Sequence, residues 1–290
     1  MSKVWFVTGA GSGIGAAIAK AALKAGDRVV ATGRDLGKVR GALAGAPRDS
    51  IEFAQLDVAD PAQAQASVEV AVARFGRIDV LVNNAGYSIL GNFEEMTRAD
   101  LEGQFATNFY GVANLMRAAL PVMRRQRAGH VINISSVAGV VGLKHCAAYG
   151  ASKFAVEGLS LAVAEEVAPF DIHITLVEPG FFRTDLLTPD NARWAGNPID
   201  DYAAEGSPQA MWSPYDGIQP GDPARLGEAL VSIASMQDPP RVFAAGSDAL
   251  EAVIPAIEAR LQTIRDHAAL SKSTDGVFQD AVASPVLGAA

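Results

Sequence analysis

The sequence contains a single cysteine, Cys146, and only four histidines among 290 residues. One cysteine excludes an intramolecular disulfide and any zinc site built on cysteine pairs. The histidines show no metal-like spacing, so no metal centre is expected. Charged residues make up only 19% of the chain, and the basic ones are scarcer, with 24 Lys and Arg against 32 Asp and Glu. This acidic balance disfavours a nucleic-acid partner, because phosphate binding requires clustered cations.

Long hydrophobic runs are also missing. No apolar stretch is long enough to span a bilayer, and the apolar run in the N-terminal MSKVWFVTGAG is too short for a signal-peptide core. We therefore expect no membrane partner and a cytoplasmic location. The basic cluster at Arg124, Arg125 and Arg127 is predicted to end a helix, where cations complement the helix dipole.

Short β-rich runs alternate with longer Ala-rich helical runs along most of the chain. Strands are predicted at 4–8, 28–32, 51–56, 80–83, 130–135, 172–177 and 241–244. Helices are predicted at 13–25, 36–44, 61–75, 98–123 and 147–167, and Thr97 is expected to cap the long helix that starts at residue 98. Because the strands are apolar on both faces and separated by helices, the fold class predicted is α/β, a doubly wound parallel sheet.

Hydrophobic residues make up 49% of the chain, enough for one large domain, which we place at residues 1–270, with a tail at 271–290. Residues 186–221 break the strand–helix rhythm and are rich in Pro, Gly and Asp, yet carry Trp194 and Trp212. A loop of this length in a compact domain is usually functional or disordered. Its aromatic residues favour a substrate lid.

A glycine-rich run, TGAGSGIG at residues 8–15, follows the first predicted strand and precedes the first helix. Glycines permit a tight turn and a close approach to a pyrophosphate, and the helix N-terminus supplies free N–H groups. Two spacings fit the run. The general Rossmann spacing uses Gly11, Gly13 and Ala16, whereas the spacing GxxxGxG uses Gly9, Gly13 and Gly15.

The end of the second strand decides between NAD and NADP. An acidic residue there holds the 2′-hydroxyl of NAD, whereas an arginine accommodates the 2′-phosphate of NADP. The sequence places Gly33 at the strand end, followed by Arg34, which favours NADP(H), although NAD(H) stays possible. Asp35 either caps the next helix or turns toward the ribose.

Tyr149 and Lys153 lie four residues apart in a predicted helix and therefore share one face. An ammonium beside a phenol is expected to lower the pKa of the phenol toward the range of a general acid/base. Ser136 lies just after the fifth strand, at the sheet edge where ligands bind. A surface Tyr–Lys pair and a serine that satisfies strand-end backbone groups are the structural alternatives.

The combination TGAGSGIG, NNAG, INISS and YGASK resembles the short-chain dehydrogenase/reductase family over about residues 3–250. The resemblance implies a seven-stranded Rossmann-type catalytic domain, and it favours the GxxxGxG spacing. It implies a catalytic set of Ser136, Tyr149, Lys153 and Asn108. It implies a cofactor site formed by Gly9, Ser12, Gly13, Ile14, Gly15, Arg34, Asp57, Asn83, Ala85, Gly86, Tyr149, Lys153, Pro179, Gly180 and Thr184.

The expected reaction is hydride transfer between NADP(H) and an apolar ketone or secondary alcohol, by a homo-dimer or homo-tetramer as in the family. The alternatives are a silent NADP(H)-binding redox sensor and an epimerase or dehydratase of the extended branch. A serine hydrolase is disfavoured because no GxSxG elbow is present. Candidate substrate contacts are Val137, Val141, Leu143, His145, Phe181, Leu186 and Trp194. His145 is also a candidate helix cap, and Cys146 is expected to be a packed, unreactive thiol.

Overall fold

The computed structural model describes residues 2–188, 192–203 and 206–276. The chain forms two compact units, Met1–Val253 and Ile254–Ala290. Seven parallel strands in the first unit form one sheet in the order β3-β2-β1-β4-β6-β7-β9. These strands are β1 Val4–Val7, β2 Arg28–Gly33, β3 Ile51–Gln55, β4 Val80–Asn83, β6 Gly129–Ile134, β7 Ile172–Pro179 and β9 Val242–Ala245. The order reverses direction at β1, which produces the switch point beside which doubly wound sheets bind ligands.

Eleven α-helices are present among the described residues. They are α1 Gly13–Lys24, α2 Leu36–Ala42, α3 Pro61–Phe75, α4 Arg98–Phe105, α5 Gly111–Gln126, α6 Ala147–Val167, α7 Asp200–Ala203, α8 Pro208–Trp212, α9 Pro223–Ile233, α10 Ser247–Asp266 and α11 Ala268–Lys272. Two short strands, β5 Ile89–Leu90 and β8 Arg193–Trp194, pair in a second, two-stranded sheet.

The main sheet is buried on both faces, as predicted. Along β1, Val4 and Phe6 belong to one core cluster, whereas Trp5 and Val7 belong to another. Successive side chains of a strand point to opposite faces, so the two clusters are the two faces of the sheet. All four β1 side chains are fully buried. Covering both faces with helices is what a parallel sheet requires.

Local sequence signals account for several helix ends. Asp60 caps α3 by accepting from the N–H groups of Ala62 and Gln63, and Gly76 ends that helix in the left-handed conformation. Thr97 caps α4, as predicted, and forms a capping box with Asp100. The basic residues Arg124 and Arg125 lie in the last turn of α5, as predicted.

The predicted helix at 98–123 is interrupted in the structure. A π-helical turn, Ala106–Tyr110, separates α4 from α5. The predicted lid at 186–221 is not a plain loop, since it contains β8, α7 and α8. The predicted tail begins with the end of α11, and its residues 277–290 lie outside the described residues.

Two absences concern only the described parts of the chain. No helix there combines the length and the apolar character needed to cross a bilayer. No group of three or more His, Cys, Asp or Glu side chains there is placed to bind a metal ion.

Candidate active site

The glycine-rich turn connects β1 to α1 beyond the carboxyl end of β1. Gly9 and Gly13 have φ of 66° and 52°, a backbone region that L side chains rarely adopt. Ser12 is the N-cap residue of α1, but its side chain caps none of the helix N–H groups. The first turn of α1 therefore directs N–H groups and the positive end of the helix dipole at the turn, which suits a phosphate group.

Gly15 is required by close packing. A Cβ there would lie 2.4 Å from the carbonyl oxygen of Gly9 and 2.4 Å from Nδ2 of Asn84. Gly9, Gly13 and Gly15 thus match the GxxxGxG spacing, and the turn fits a dinucleotide pyrophosphate. The Ile14 side chain packs against the core cluster that includes Trp5, so only its backbone can serve a cofactor.

Thr8 and Asn84 hold the glycine-rich turn against the end of β4, and neither was predicted from the sequence. The Thr8 hydroxyl accepts from the N–H groups of Asn84 at 2.8 Å and Ala85 at 3.0 Å. The Asn84 side chain donates to the carbonyl oxygen of Thr8 at 2.9 Å. Thr8 belongs to the TGAGSGIG motif and Asn84 to the NNAG motif, so the motifs themselves could have indicated both residues.

The end of β2 carries the cation predicted from the sequence. Arg34 is exposed directly after Gly33, and no carboxylate occupies the strand end. Asp35 caps α2 by accepting from the N–H of Lys38 at 3.1 Å, which is the first of its two alternatives. Lys38 was not predicted, yet its Cγ would lie 3.4 Å from a Cβ on Gly11. Lys38 thus lies beside the glycine-rich turn, and Arg34 directly follows β2.

Three further residues predicted to contact the nucleotide, Asp57, Asn83 and Ala85, differ in what their side chains contact. The Asp57 carboxylate accepts from the N–H of Ala59 at 3.0 Å, just beyond β3. The buried Asn83 side chain donates to Asn133 at 2.8 Å, so this amide serves the interior and only its backbone can line a ribose site. Ala85 lies against Gly9, with its Cα 3.0 Å from a Cβ built there.

The predicted serine and tyrosine meet at the carboxyl end of β6. Ser136 follows the strand, and Tyr149 lies in the first turn of α6. The Ser136 hydroxyl accepts from the N–H of Ala138 at 3.1 Å. Burial raises the pKa of Tyr149 to about 12, and the nearby Ser136 side chain lowers it by less.

Lys153 lies one turn further along α6 and is 6% exposed. Its Nζ donates to the carbonyl oxygen of Ile134 at 2.7 Å and lies 5.7 Å from the centre of the Tyr149 ring. Burial lowers the pKa of Lys153 to about 8. The expected lowering of the Tyr149 pKa by Lys153 is therefore not found, because desolvation of the phenol outweighs the influence of a distant and partly neutral amine.

Two carboxyl groups near Lys153 were not predicted, the partly buried Glu157 and the buried Glu178. A Cβ on Gly139 would lie 3.3 Å from Cβ of Lys153, 3.3 Å from Cγ of Glu157 and 2.7 Å from Oγ of Ser135. Burial raises the pKa of Glu157 to about 7, against lowering by Ser135 and Lys153. Burial also raises the pKa of Glu178 at the end of β7. The only sequence signal for Glu157 was its position four residues after Lys153, which places both on one face of α6.

Asn108 lies in the π-helical turn between α4 and α5 and is 1% exposed. Its Nδ2 donates to the carbonyl oxygen of Tyr87 at 3.0 Å and to Ser152 at 3.2 Å, and its Oδ1 accepts from the N–H of Tyr87 at 3.2 Å. Gly86 adjoins it, since a Cβ there would lie 3.1 Å from Oδ1 of Asn108. Asn108 thus connects α6 to the segment after β4.

The segment after β7 reaches the glycine-rich turn. Gly180 donates to the carbonyl oxygen of Ala245 at 3.0 Å, and Asp248 accepts from the N–H of Phe181 at 2.7 Å. A Cβ on Gly13 would lie 3.3 Å from Cβ of Thr184. Pro179, the last residue of β7, starts this segment. Asp248 was not predicted from the sequence, because it lies about seventy positions after the turn at Gly180 and Phe181 that its carboxylate holds.

The residues predicted to contact substrate separate into different clusters. Leu143, Trp194 and Trp212 pack around buried Cys146, and Phe181 stacks on Trp212 with ring centres 5.7 Å apart. These contacts join the lid to the segment that leads into α6. Leu186 is exposed in the lid. Val137 and Val141 belong to a separate cluster with Ala249 and Val253.

The two residues before α6 have distinct roles. His145 does not occupy the N-cap position, because that residue is Cys146, so the capping alternative is wrong. A ring nitrogen of His145 instead lies 3.0 Å from Oδ1 of Asn92. Burial raises the pKa of the Cys146 thiol to about 12, which agrees with a packed and unreactive thiol.

Comparisons with known proteins agree with this geometry. The family described as short chain dehydrogenase matches residues 3–194. The oxidoreductase BOA17 of Botryotinia fuckeliana is 34% identical over 87% of this chain and 91% of that protein. The 3-ketodihydrosphingosine reductase of Bacteroides thetaiotaomicron is 36% identical over 82% of this chain and 86% of that protein.

Solved structures share the fold. A short-chain dehydrogenase from Streptomyces avermitilis superposes with a TM-score of 0.87 at 38% identity, covering 95% of this chain and 100% of that one. A short-chain dehydrogenase/reductase from Burkholderia phymatum in complex with NAD gives 0.75 at 25% identity over 96% and 98% of the two chains. The structure of ElxO with NADP bound superposes with a TM-score of 0.72 at 30% identity, covering 87% of this chain and 100% of that one. Both dinucleotides thus occur among the neighbours.

Proposed function

The chain belongs to the short-chain dehydrogenase family, and we propose that it transfers a hydride between NADP(H) and a ketone or secondary alcohol, with Tyr149 as general acid/base. One observation carries the proposal. Ser136 and Tyr149 lie side by side at the sheet edge where ligands bind, close enough for Ser136 to lower the pKa of the phenol, and Lys153 lies one helical turn beyond Tyr149. A silent redox sensor would need the glycine-rich turn but not this set.

The residues that would hold the dinucleotide surround the glycine-rich turn. The backbone of residues 9–15 and the N-terminus of α1 would bind the pyrophosphate. Asp57, Asn83, Ala85 and Gly86 would line the adenosine side, and Pro179, Gly180 and Thr184 would hold the nicotinamide end. When bound, the cofactor would supply or accept the hydride.

The side chains would handle the proton and the charge. Tyr149 would donate its proton to the carbonyl oxygen in reduction and accept it in oxidation. With a pKa of about 12 the phenol is protonated at neutral pH, which suits it to donation. Ser136 would hydrogen-bond the same oxygen and stabilise its developing charge. Lys153 would hold the nicotinamide ribose, and Asn108 would position a water that returns the proton.

Preference for NADP(H) is the finer part of the proposal. Its support is Lys38 beside the glycine-rich turn and Arg34 directly after β2, together with the engagement of Asp35 as the cap of α2. Guanidinium and ammonium groups form strong charge-assisted bonds to a phosphate. A carboxylate turned toward the ribose would repel that phosphate, and the capping bond holds Asp35 away from this role.

The substrate class proposed is an apolar carbonyl compound or alcohol. The supporting feature is the cluster of Leu143, Trp194 and Trp212 around Cys146, the residue three positions before Tyr149. A long-chain ketone, the substrate class in the name of the Bacteroides relative, is a suitable first compound. The cytoplasmic location and the homo-dimeric or homo-tetrameric state stay predictions.

The decisive experiment follows nicotinamide absorbance with a panel of ketones and alcohols and both cofactors. Tyr149→Phe should lower kcat by at least a thousandfold, because it removes the proton donor, while NADPH binding measured by fluorescence stays within about threefold. Tyr110→Phe, at an exposed tyrosine, is the matched control and should retain activity. Full activity in Tyr149→Phe would refute the assignment, and NADPH binding without turnover in the parent would favour the redox sensor.

A further inference from the structure

Three polar side chains near Lys153 each carry a buried oxygen atom that has no hydrogen-bond partner in the described part of the chain. These atoms are Oγ of Ser135, Oε1 of Glu157 and Oε2 of Glu178. Ser135 and Glu178 are 2% and 3% exposed, whereas Glu157 is partly exposed. Buried polar atoms almost always have a partner, so three of them in one region require an explanation.

The fold brings these three side chains together from three elements. Ser135 follows β6, and its N–H donates to the carbonyl oxygen of Val177 at 2.7 Å, which sets it beside Glu178 near the end of β7. A Cβ on Gly139 would lie 2.7 Å from Oγ of Ser135 and 3.3 Å from Cγ of Glu157. Helix α6 therefore brings Glu157 to the point at which the segment after β6 presents Ser135.

Lys153 reaches the same point from one turn earlier in α6. Residues four positions apart share one face of a helix, and the Cβ on Gly139 would lie as close to Cβ of Lys153, at 3.3 Å, as to Glu157. The Nζ of Lys153 donates to the carbonyl oxygen of Ile134, the residue before Ser135, at 2.7 Å. A neutral carbonyl satisfies one N–H group, but it does not supply the negative charge that a buried ammonium requires.

Glu157 is the carboxyl group placed to supply this charge. It shares a helix face with Lys153, and its partial exposure lets it release its proton to solvent. We propose that Glu157 is a positioning residue whose carboxylate keeps Lys153 charged while the amine holds the cofactor and supports Tyr149. The inference rests on the proposed function for the task of Lys153, whereas the effect of Glu157 on the amine is independent of it.

The titration of the two groups defines the pH range in which the pair operates. Burial lowers the pKa of Lys153 to about 8, and Glu157 opposes this by raising it. Burial raises the pKa of Glu157 to about 7. Between these two values the carboxyl group has largely lost its proton and the amine still holds one. Without the carboxylate the amine would lose its proton at lower pH, because a nearby opposite charge favours the charged form.

The other groups that face the pair come from two strands and from α6. Glu178 on β7 raises the pKa of Glu157, whereas Ser135 after β6 lowers it. Tyr149 lies one turn before Lys153 on α6, and burial keeps its phenol protonated at neutral pH by raising its pKa to about 12. Ser135 and Glu178 thus adjust the pH at which Glu157 becomes charged, and Lys153 is the cation on which that charge acts.

The first test follows the amine directly in the full chain. Lysine labelled with ¹³C at Cε gives an NMR signal that shifts when the amine loses its proton, and Lys153→Arg identifies the signal of Lys153. Glu157→Gln should lower the midpoint of this titration by about one pH unit. Glu157→Asp keeps the charge and should lower the midpoint by less than this. Glu166→Gln, at an exposed carboxylate of the same helix, should leave it unchanged.

The second test measures kcat/KM for NADPH as a function of pH. If the midpoint of Lys153 moves from about 8 to about 7, Glu157→Gln should be about fivefold less active than the parent at pH 8 and within twofold of it at pH 6. A purely structural role of Glu157 would lower activity by the same factor at both pH values. Circular dichroism checks that each variant folds.

Two results would overturn the proposal. These are an unchanged titration midpoint of Lys153 in Glu157→Gln, and equal ratios of variant to parent activity at pH 6 and pH 8. If the parent shows no turnover, the proposed reaction fails, and NADPH binding by fluorescence at the same two pH values replaces the second test. Turnover that depends on Tyr149, together with an unchanged midpoint, would refute the role of Glu157 alone.

Discussion

Replacing Glu157 by glutamine should stabilise the protein relative to the parent, and this gain should be larger at alkaline pH than at acidic pH. Burial raises the pKa of Glu157 from 4.5 to about 7. Between these values the unfolded chain has lost a proton that the folded chain still holds. The stability of the parent therefore falls as pH rises through this window, and the full cost is present above pH 7. Glutamine stays neutral and avoids this cost.

The magnitude follows from the size of the shift. The pKa of Glu157 rises by about 2.5 on folding, which corresponds to a cost in folding free energy of at most about 3.4 kcal/mol. Glu157 is only partly buried, so solvent screening reduces this value; the attraction to Lys153 is already included in the pKa of about 7. We expect the stability advantage of Glu157→Gln over the parent to increase by about 1–2 kcal/mol when the pH rises from about 5 to about 8.

Urea unfolding followed by circular dichroism at these two pH values measures the difference. Glu166→Gln is the matched control, because Glu166 is an exposed carboxylate on the same helix, and it should show no comparable gain. An equal effect of Glu157→Gln at both pH values would refute the reasoning. A larger gain at pH 5 would do so as well, because it would reverse the sign of the linkage.

Three further results are expected. Arg34→Ala should raise the KM for NADPH at least tenfold and the KM for NADH less than twofold, since it removes a charge-assisted bond to the 2′-phosphate; equal losses would contradict the NADP(H) preference. Gly15→Ala should lower stability by about 1–3 kcal/mol in thermal unfolding, because its Cβ would lie 2.4 Å from Gly9. Cys146, 4% exposed, should react with a disulfide reagent only on unfolding, and rapid labelling of the folded chain would disprove its burial.

Much of the fold could be predicted because local signals and global topology agree. The boundaries of α6, Ala147–Val167, coincide with the prediction, and all seven sheet strands were located within about two residues. The proposed catalytic residues Ser136, Tyr149 and Lys153 come together because a strand end and the next helix position them. Their spacing in the sequence carries that information.

The remaining features depend on contacts that spacing does not encode. The π-helical turn at Ala106–Tyr110 interrupts a sequence whose helical pattern continues on both sides. The pairing of β5 with β8 joins segments about one hundred residues apart. Glu157 and Glu178 are carboxylates, which are normally exposed, and only the approach of α6 to β7 buries them. The Asn83 amide faces Asn133, a direction that a motif cannot specify.

The pairing of β5 with β8 has a consequence for how the lid can move. The Arg193 guanidinium lies over the Tyr87 ring, 4.5 Å from its centre, and the Tyr87 backbone is the group that Asn108 holds from below. Residues 193 and 194 are therefore attached to the same stretch of chain that holds Asn108. If residues 186–221 act as the proposed lid, separating Trp194 from Leu90 would also displace Tyr87 and with it the side chain proposed to position the proton-relay water.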